Sequence, residues 1–151
     1  MKYLELHQVE YMVLGGYAVA FHGYPRATVD FDVWVRASKE NAARVFHALA
    51  EFGFPLEGIS DATLAAPGTG VRMGSPPFRL EVINFATGLE FENAIKNSMR
   101  VKLEDVETNM ISLEDLKTNK RATGRNKDLA DLDHLPGGYL EQRAKRNNKP
   151  D

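Results

Sequence analysis

The chain predicts a fold of the mixed α/β (α+β) class, a small mixed β-sheet flanked by helices. Short runs rich in β-branched and aromatic residues, over 11–14, 28–36 and 78–85, alternate with helical patterns that carry an apolar stripe. Gly and Pro punctuate the joints between them. The 151 residues, 43% hydrophobic and 26% charged, are enough for one packed core of ordinary composition, and no internal repeat interrupts it.

The first residues read as a short helix, followed by a buried strand at Tyr11-Met12-Val13-Leu14. Gly15-Gly16 then opens a helical pattern over 16–23 that Gly23 and Pro25 end. Thr28-Val29-Asp30-Phe31-Asp32-Val33-Trp34-Val35 alternates polar with apolar at the period of a strand. Ser38 caps a helix over 39–52, whose stripe is Ala42, Val45, Phe46, Leu49 and Phe52 and whose stop is Gly53. The Gly- and Pro-rich stretch from Pro55 to Pro77 reads as turns around one short strand, Val71-Arg72-Met73. After the strand over 78–85, Ala86-Thr87-Gly88 leads through 89–94 to strand-like runs at Ser98 to Leu103 and Thr108 to Ile111. Ser112 caps the next helix, with Asp115 as the acid of a capping box and Gly124 as its stop. A last helix over 126–135 sets Leu129, Leu132 and Leu135 on one side before Pro136-Gly137-Gly138. The expected domain is 1–140, and the polar tail 141–151, lacking an apolar face, is expected to be disordered.

The chemistry concentrates at Asp30 and Asp32. With a strand period of two, Thr28, Asp30, Asp32 and Trp34 share one face and Val29, Phe31, Val33 and Val35 the other. Two carboxylates side by side repel, so they call for a cation or a solvated exit. Mg²⁺ suits them because it takes a few carboxylate oxygens and fills its remaining positions with water and phosphates. Gly15 and Gly16, at a strand-to-helix turn just upstream, allow the backbone to approach a phosphate with its N–H groups aimed at the charge. Arg26 and Thr28 precede the acids, where they either contact phosphate or acceptor or serve as a loop arginine and a β-favouring threonine. Downstream, Lys117, Lys120, Arg121, Arg125 and Lys127 gather positive charge in one helical hairpin, a phosphate-binding counterpart of the acids or a solvated basic face.

The order apolar-Gly-Gly, helix, then D-x-D on the next strand resembles the nucleotidyltransferase superfamily that includes DNA polymerase β. G-G-Y-A-V-A-F-H-G with R-x-T-x-D-x-D is similar, more narrowly, to small prokaryotic nucleotidyltransferase-like proteins related to the AbiEii toxins of abortive-infection and toxin–antitoxin systems. The likeness runs from about Val9 to about Leu135 and is most specific from Gly15 to Asp32. It implies a nucleotidyltransferase-like fold, an NTP substrate, and transfer of a nucleoside monophosphate to a hydroxyl of an RNA end, a protein or a small molecule. It also implies a third carboxylate on a later strand.

Glu81, within Phe78 to Phe85, stands where that family usually carries Asp. One methylene longer, it either ligates Mg²⁺, deprotonates the acceptor hydroxyl, marks a weakened activity, or is a plain strand-surface acid. By the same resemblance Asp30, Asp32 and Glu81 are the catalytic and metal-binding residues, with Mg²⁺ or alternatively Mn²⁺ as cofactor. S-L-E-D-L-x-x-x-K followed by R-x-K-D-L-x-D-L also matches, and it adds Lys120 and Arg125 to Gly15, Gly16, Arg26 and Thr28 as nucleotide-binding residues. Asp128 and Asp131 are expected as structural partners of nearby bases. The competing reading is a catalytically silent nucleotide-binding or toxin–antitoxin interaction module; a third is an RNA-binding module using the basic hairpin.

His7, His22, His47 and His134 have no metalloprotease spacing, and with no cysteine a zinc enzyme is disfavoured. A net charge of −2 does not advertise a nucleic-acid binder. No apolar run reaches membrane-span length, and the first residues lack a signal-peptide core, so a cytoplasmic location without membrane partners is the expectation.

Overall fold

A computed structural model describes residues 1–138, so the expected domain end at 140 and the polar tail 141–151 lie outside the described residues. The elements in chain order are α1 (Lys2–Leu6), β1 (Tyr11–Leu14), α2 (Gly15–Phe21), β2 (Asp30–Val35), α3 (Lys39–Phe52), α4 (Asp61–Ala65), β3 (Gly70–Ser75), β4 (Phe78–Ile83), α5 (Phe91–Asn97), β5 (Met99–Leu103), β6 (Val106–Met110), α6 (Leu113–Thr123) and α7 (Asn126–His134). The strands form one mixed sheet in the order β3-β4-β2-β1-β6-β5. β1 runs antiparallel to β2 and parallel to β6, while β2 runs parallel to β4. The C-terminal end of β1 therefore meets the N-terminal ends of β2 and β4. The glycine turn and the acids arrive there together.

β1 and the C-terminal half of β2 are buried throughout, as befits central strands covered on both faces. On one face Tyr11 donates to Glu5 of α1 at 2.7 Å and shares a hydrogen bond with Thr108, and Phe31 packs against the core. On the other, Trp34 meets the edge of Phe91 in α5. The core gathers Val13, Val19, Val33, Val35, Val45, Met110, Ile111 and Leu116 around these contacts.

The two best-marked helices end as their caps require. Ser38 accepts from the Asn41 N–H, Ser112 accepts from the Asp115 N–H, and Gly53 and Gly124 take the left-handed conformation at the C-caps. The capping box expected of Asp115 is only half formed: its carboxylate accepts from Asn97 Nδ2 at 3.2 Å instead of returning to the cap. The strand expected over 28–36 begins at Asp30, which leaves Thr28 in the preceding loop with its hydroxyl donating to the Asp30 carbonyl. The turn-rich stretch holds a helix, α4, opened by a complete Ser60–Thr63 capping box. The leucine stripe of the last helix is buried only at its end: Leu135 is fully buried but Leu129 is 45% exposed, and Asp128 and Asp131 fill the rest of the buried face. Ion pairing with α6, described below, turns the helix that way. No helix among the described residues is long and apolar enough to cross a membrane.

Candidate active site

Register builds the acidic cluster. Parallel pairing of β2 with β4 sets Asp30 beside Arg79 and Asp32 beside Glu81, while antiparallel pairing with β1 sets Asp32 beside Leu14, the residue before the glycine turn. Asp30, Asp32 and Glu81 each offer a carboxylate oxygen within 4.8 Å of the others. Burial pushes the Asp32 carboxyl up to about 6, and the charge of Glu81, its hydrogen bond and the charge of Asp30 push the same way against a smaller opposing pull from Lys120. Asp30 is held low by its hydrogen bond from Arg79.

The glycines fit against these side chains. Gly15 has φ +68°, and a Cβ there would lie 1.9 Å from Asp32 Oδ2. A Cβ on Gly16 would lie 2.7 Å from the Thr28 Cβ. Any larger residue would displace the acid or the loop before it, so the turn and the acidic strand are one packed unit.

The basic hairpin is held by a buried ionic network. Lys120, 5% exposed, places its ammonium 2.8 Å from both Asp128 and Asp131. Arg26 grips Asp131 with two hydrogen bonds, Nε at 2.6 Å and Nη2 at 2.8 Å, and so ties the entrance of β2 to α7. Asp128 also accepts from Thr123 at 2.7 Å and Arg125 at 2.6 Å. Burial alone would raise the Asp128 carboxyl, but the hydrogen bonds from Lys120, Arg125 and Thr123 outweigh it and hold the group down at about 2.

The structure thus brings Gly15, Gly16, Thr28, Asp30, Asp32 and Glu81 together at one end of the sheet. Lys120 acts on this cluster through its charge, as does Arg125, whose guanidinium feels both Asp32 and Glu81 while its side chain is 75% exposed. Arg26 and Lys120 are engaged by buried aspartates, as expected of Asp128 and Asp131 as structural partners. His22 packs, with Nε2 2.8 Å from the Ile111 carbonyl oxygen. Sequence reasoning missed Arg79 and Arg72, which pair with Asp30 and, at 3.5 Å, with Glu81. The signal was present: Arg79 lies two residues before Glu81 and so on the same strand face.

Hard oxygen ligands of this kind, carrying more negative charge than their two arginines fully offset, fit a divalent cation such as Mg²⁺ or Mn²⁺. Such an ion would relieve the repulsion from Glu81 and Asp30 that adds to burial in raising Asp32.

No protein-family model matches the chain, and no curated protein matches it by sequence. Among solved structures, it is similar over 98% of its length, and 88% of the other's, to a candidate nucleotidyltransferase from Thermotoga maritima, with TM-score 0.61 and 16% identity. It is also similar to the lincosamide antibiotic adenylyltransferase LnuA in its lincomycin-bound form, over 88% of its length and 89% of the other's, with TM-score 0.58 and 17% identity. These likenesses establish that the chain has the nucleotidyltransferase fold.

Proposed function

We propose that the protein is a metal-dependent nucleotidyltransferase that moves a nucleoside monophosphate from an NTP onto an acceptor hydroxyl. The observation that carries this reading is the convergence of three carboxylates on a glycine turn that has no room for a side chain. The fold of the two solved structures and the chemistry of their descriptions support it, as does the resemblance of Gly15 to Asp32 to the polymerase β superfamily.

Asp30, Asp32 and Glu81 would hold Mg²⁺, or Mn²⁺ in its place, which would supply positive charge against the triphosphate and ease deprotonation of the attacking hydroxyl. The Gly15-Gly16 backbone lets the phosphates come close to the acids. Arg125, an exposed cation acting on the cluster, neutralises phosphate charge directly. Arg26 and Lys120 contribute by fixing the hairpin that presents Arg125. The acceptor oxygen attacks the α-phosphorus in line, the bond to the β-phosphate oxygen breaks, and pyrophosphate leaves while Glu81 takes the hydroxyl proton.

A role in an abortive-infection or toxin–antitoxin system, with a partner protein, is supported by the likeness of the Gly15 to Asp32 stretch to AbiEii-related proteins. The absence of cysteine is in keeping with a reducing cytoplasm. Titration with each NTP, with and without Mg²⁺, tests the proposal in the wild type and in Asp30→Ala/Asp32→Ala. Metal-dependent binding that the variant loses, with pyrophosphate release on addition of acceptor, is expected. A folded wild type that binds no NTP would be a non-catalytic interaction module. NTP binding without transfer would identify a silent nucleotide-binding module.

A further inference from the structure

Two arginines stand on the acidic face of the sheet with most of their donors unspent. Among the described residues the Arg79 guanidinium donates one hydrogen bond, from Nε to Asp30, and the Arg72 guanidinium one, from Nη2 to Glu81 at the long distance of 3.5 Å. A guanidinium carries five N–H donors, so each keeps most of its fork for another partner. Their setting differs from that of the hairpin cations. Arg26, Lys120 and Arg125 are neutralised by Asp128 and Asp131, buried aspartates outside the acidic cluster. Arg72 and Arg79 form ion pairs, among the described residues, only with the clustered acids themselves. With those carboxylates engaged by a divalent cation, neither arginine would keep an acid of its own.

Register fixes the side of the cluster they occupy. Leu14 pairs with Asp32, Asp32 with Glu81 and Glu81 with Arg72, so one row crosses β1, β2, β4 and β3, from the glycine turn through two carboxylates to an arginine on the edge strand. Three strand spacings make this row roughly 14 Å long. Arg79 lies two residues before Glu81 and so on the same face, diagonal to Arg72, a spacing that long side chains bridge. Its own partner on the edge strand is Gly74, which offers no side chain to cover it.

In an in-line transfer the attacking and leaving oxygens lie on opposite sides of the phosphorus. A triphosphate at the glycine turn therefore puts the acceptor at the other end of the row, where Glu81 takes its proton and the two arginines stand beyond. We propose that Arg72 and Arg79 bind an anionic group of the acceptor, and that the acceptor carries a phosphate ester close to its attacking hydroxyl. The assignment rests on the nucleotidyltransferase reading and gives that reading its substrate class. Two guanidinium forks on adjacent strands suit a tetrahedral phosphate, whose oxygens can accept from both. A neutral alcohol would make no use of either charge. A nucleic-acid strand end and a phosphorylated sugar share the required chemistry.

The test is isothermal titration calorimetry on the full chain, saturated with Mg²⁺ and an ATP analogue that has a methylene bridge between the α- and β-phosphorus. The probes are the triribonucleotide ApApA with a free 3′-hydroxyl, ribose 5-phosphate, and ribose. Arg72→Gln changes a side chain that is 54% exposed, so the fold is retained, as its thermal transition and circular dichroism will verify. Arg79→Gln is the second variant, and Arg100→Gln, on β5 at the opposite edge of the sheet, is the control for a general loss of positive charge. Saturable binding of at least one phosphate-bearing probe, and none of ribose, is expected in the wild type. It should weaken by about 10-fold or more in Arg72→Gln and in Arg79→Gln, the loss of one charge-assisted contact, and stay unchanged in Arg100→Gln.

Tighter binding of ApApA than of ribose 5-phosphate would identify a strand end as the source of the phosphate, and the reverse order a phosphorylated small alcohol; both support the subsite. Analogue binding with no phosphate probe bound, with ribose bound as well as its phosphate, or with probe binding indifferent to Arg72→Gln and Arg79→Gln or equally weakened by Arg100→Gln, would overturn the subsite and leave the transferase reading standing. A folded wild type with no metal-dependent binding of the analogue would overturn both.

Discussion

Asp32→Asn should stabilise the metal-free protein, although it removes a residue of the candidate active site. Asp32 sits beside Glu81 and near Asp30, and burial with this repulsion lifts its carboxyl from 3.8 to about 6. A carboxyl raised on folding binds its proton more tightly in the native state, so its ionisation opposes folding. The penalty is absent below the unfolded value, develops between 3.8 and about 6, and is complete above that. At roughly 1.4 kcal/mol for each pH unit of separation, the ionised group costs roughly 3 kcal/mol near neutral pH and roughly half of that at pH 5. Asparagine keeps the shape and lacks the charge. In EDTA at pH 7.5 the variant should therefore melt roughly 5–10 °C above the wild type, given a few degrees per kcal/mol for a chain of this size. The margin should shrink as pH falls toward 5. Urea or thermal denaturation followed by circular dichroism measures this directly. A variant less stable than the wild type in EDTA at pH 7.5, or a margin that does not change with pH, would refute the claim that Asp32 is an electrostatically strained carboxylate awaiting a cation. Saturating Mg²⁺ should reverse the order by stabilising the wild type alone.

Other perturbations probe the remaining parts. Gly15→Ala would force a Cβ to within 1.9 Å of Asp32 Oδ2 at φ +68°, so denaturation should reveal a loss of about 1–3 kcal/mol and Mg²⁺ titration a weakened affinity. Lys120→Met leaves two buried aspartates short of a counter-charge and should cost about 3–5 kcal/mol; a loss under about 1 kcal/mol would mean that Lys120 does not hold the hairpin. Asp128 is held at about 2, so its ionic bonds contribute fully above the ordinary 3.8 and are lost as pH falls toward 2; Asp128→Asn should flatten the acid limb of stability against pH. Arg125→Ala should weaken NTP binding by about 10-fold, the loss of one charge-assisted contact, with a modest fall in melting temperature because its bond to buried Asp128 is lost as well.

Local signals in the sequence reached far into this fold. The alternation from Asp30 to Val35, the caps at Ser38 and Ser112 and the left-handed glycines 53 and 124 depend on residues within a turn or two of one another, and each is found where its neighbours require it. What escaped depends on distant partners. The strand order and the pairing of Arg79 with Asp30 follow from the parallel register of β2 and β4, which no short window contains. The buried face of α7 was misread because periodicity counts leucines, whereas Asp128 and Asp131 are drawn inward by Lys120 and Arg26. α4 escaped because five residues between Gly- and Pro-rich turns carry too few periods to register. The acidic pair and the glycine turn were readable as a unit, yet the contact that makes them one, Gly15 against Asp32, exists only once β1 and β2 are paired.

Mn²⁺ titration followed by electron paramagnetic resonance tests the metal centre most directly, because the signal of the free ion falls as protein captures it. The account predicts saturable capture by the wild type, strengthened by ATP and competed by Mg²⁺, and its loss in a folded Asp30→Ala/Asp32→Ala variant. Mn²⁺ that stays free in the presence of wild type and ATP, or that binds the variant equally well, would contradict the assignment of Asp30, Asp32 and Glu81 as the site where the chemistry occurs.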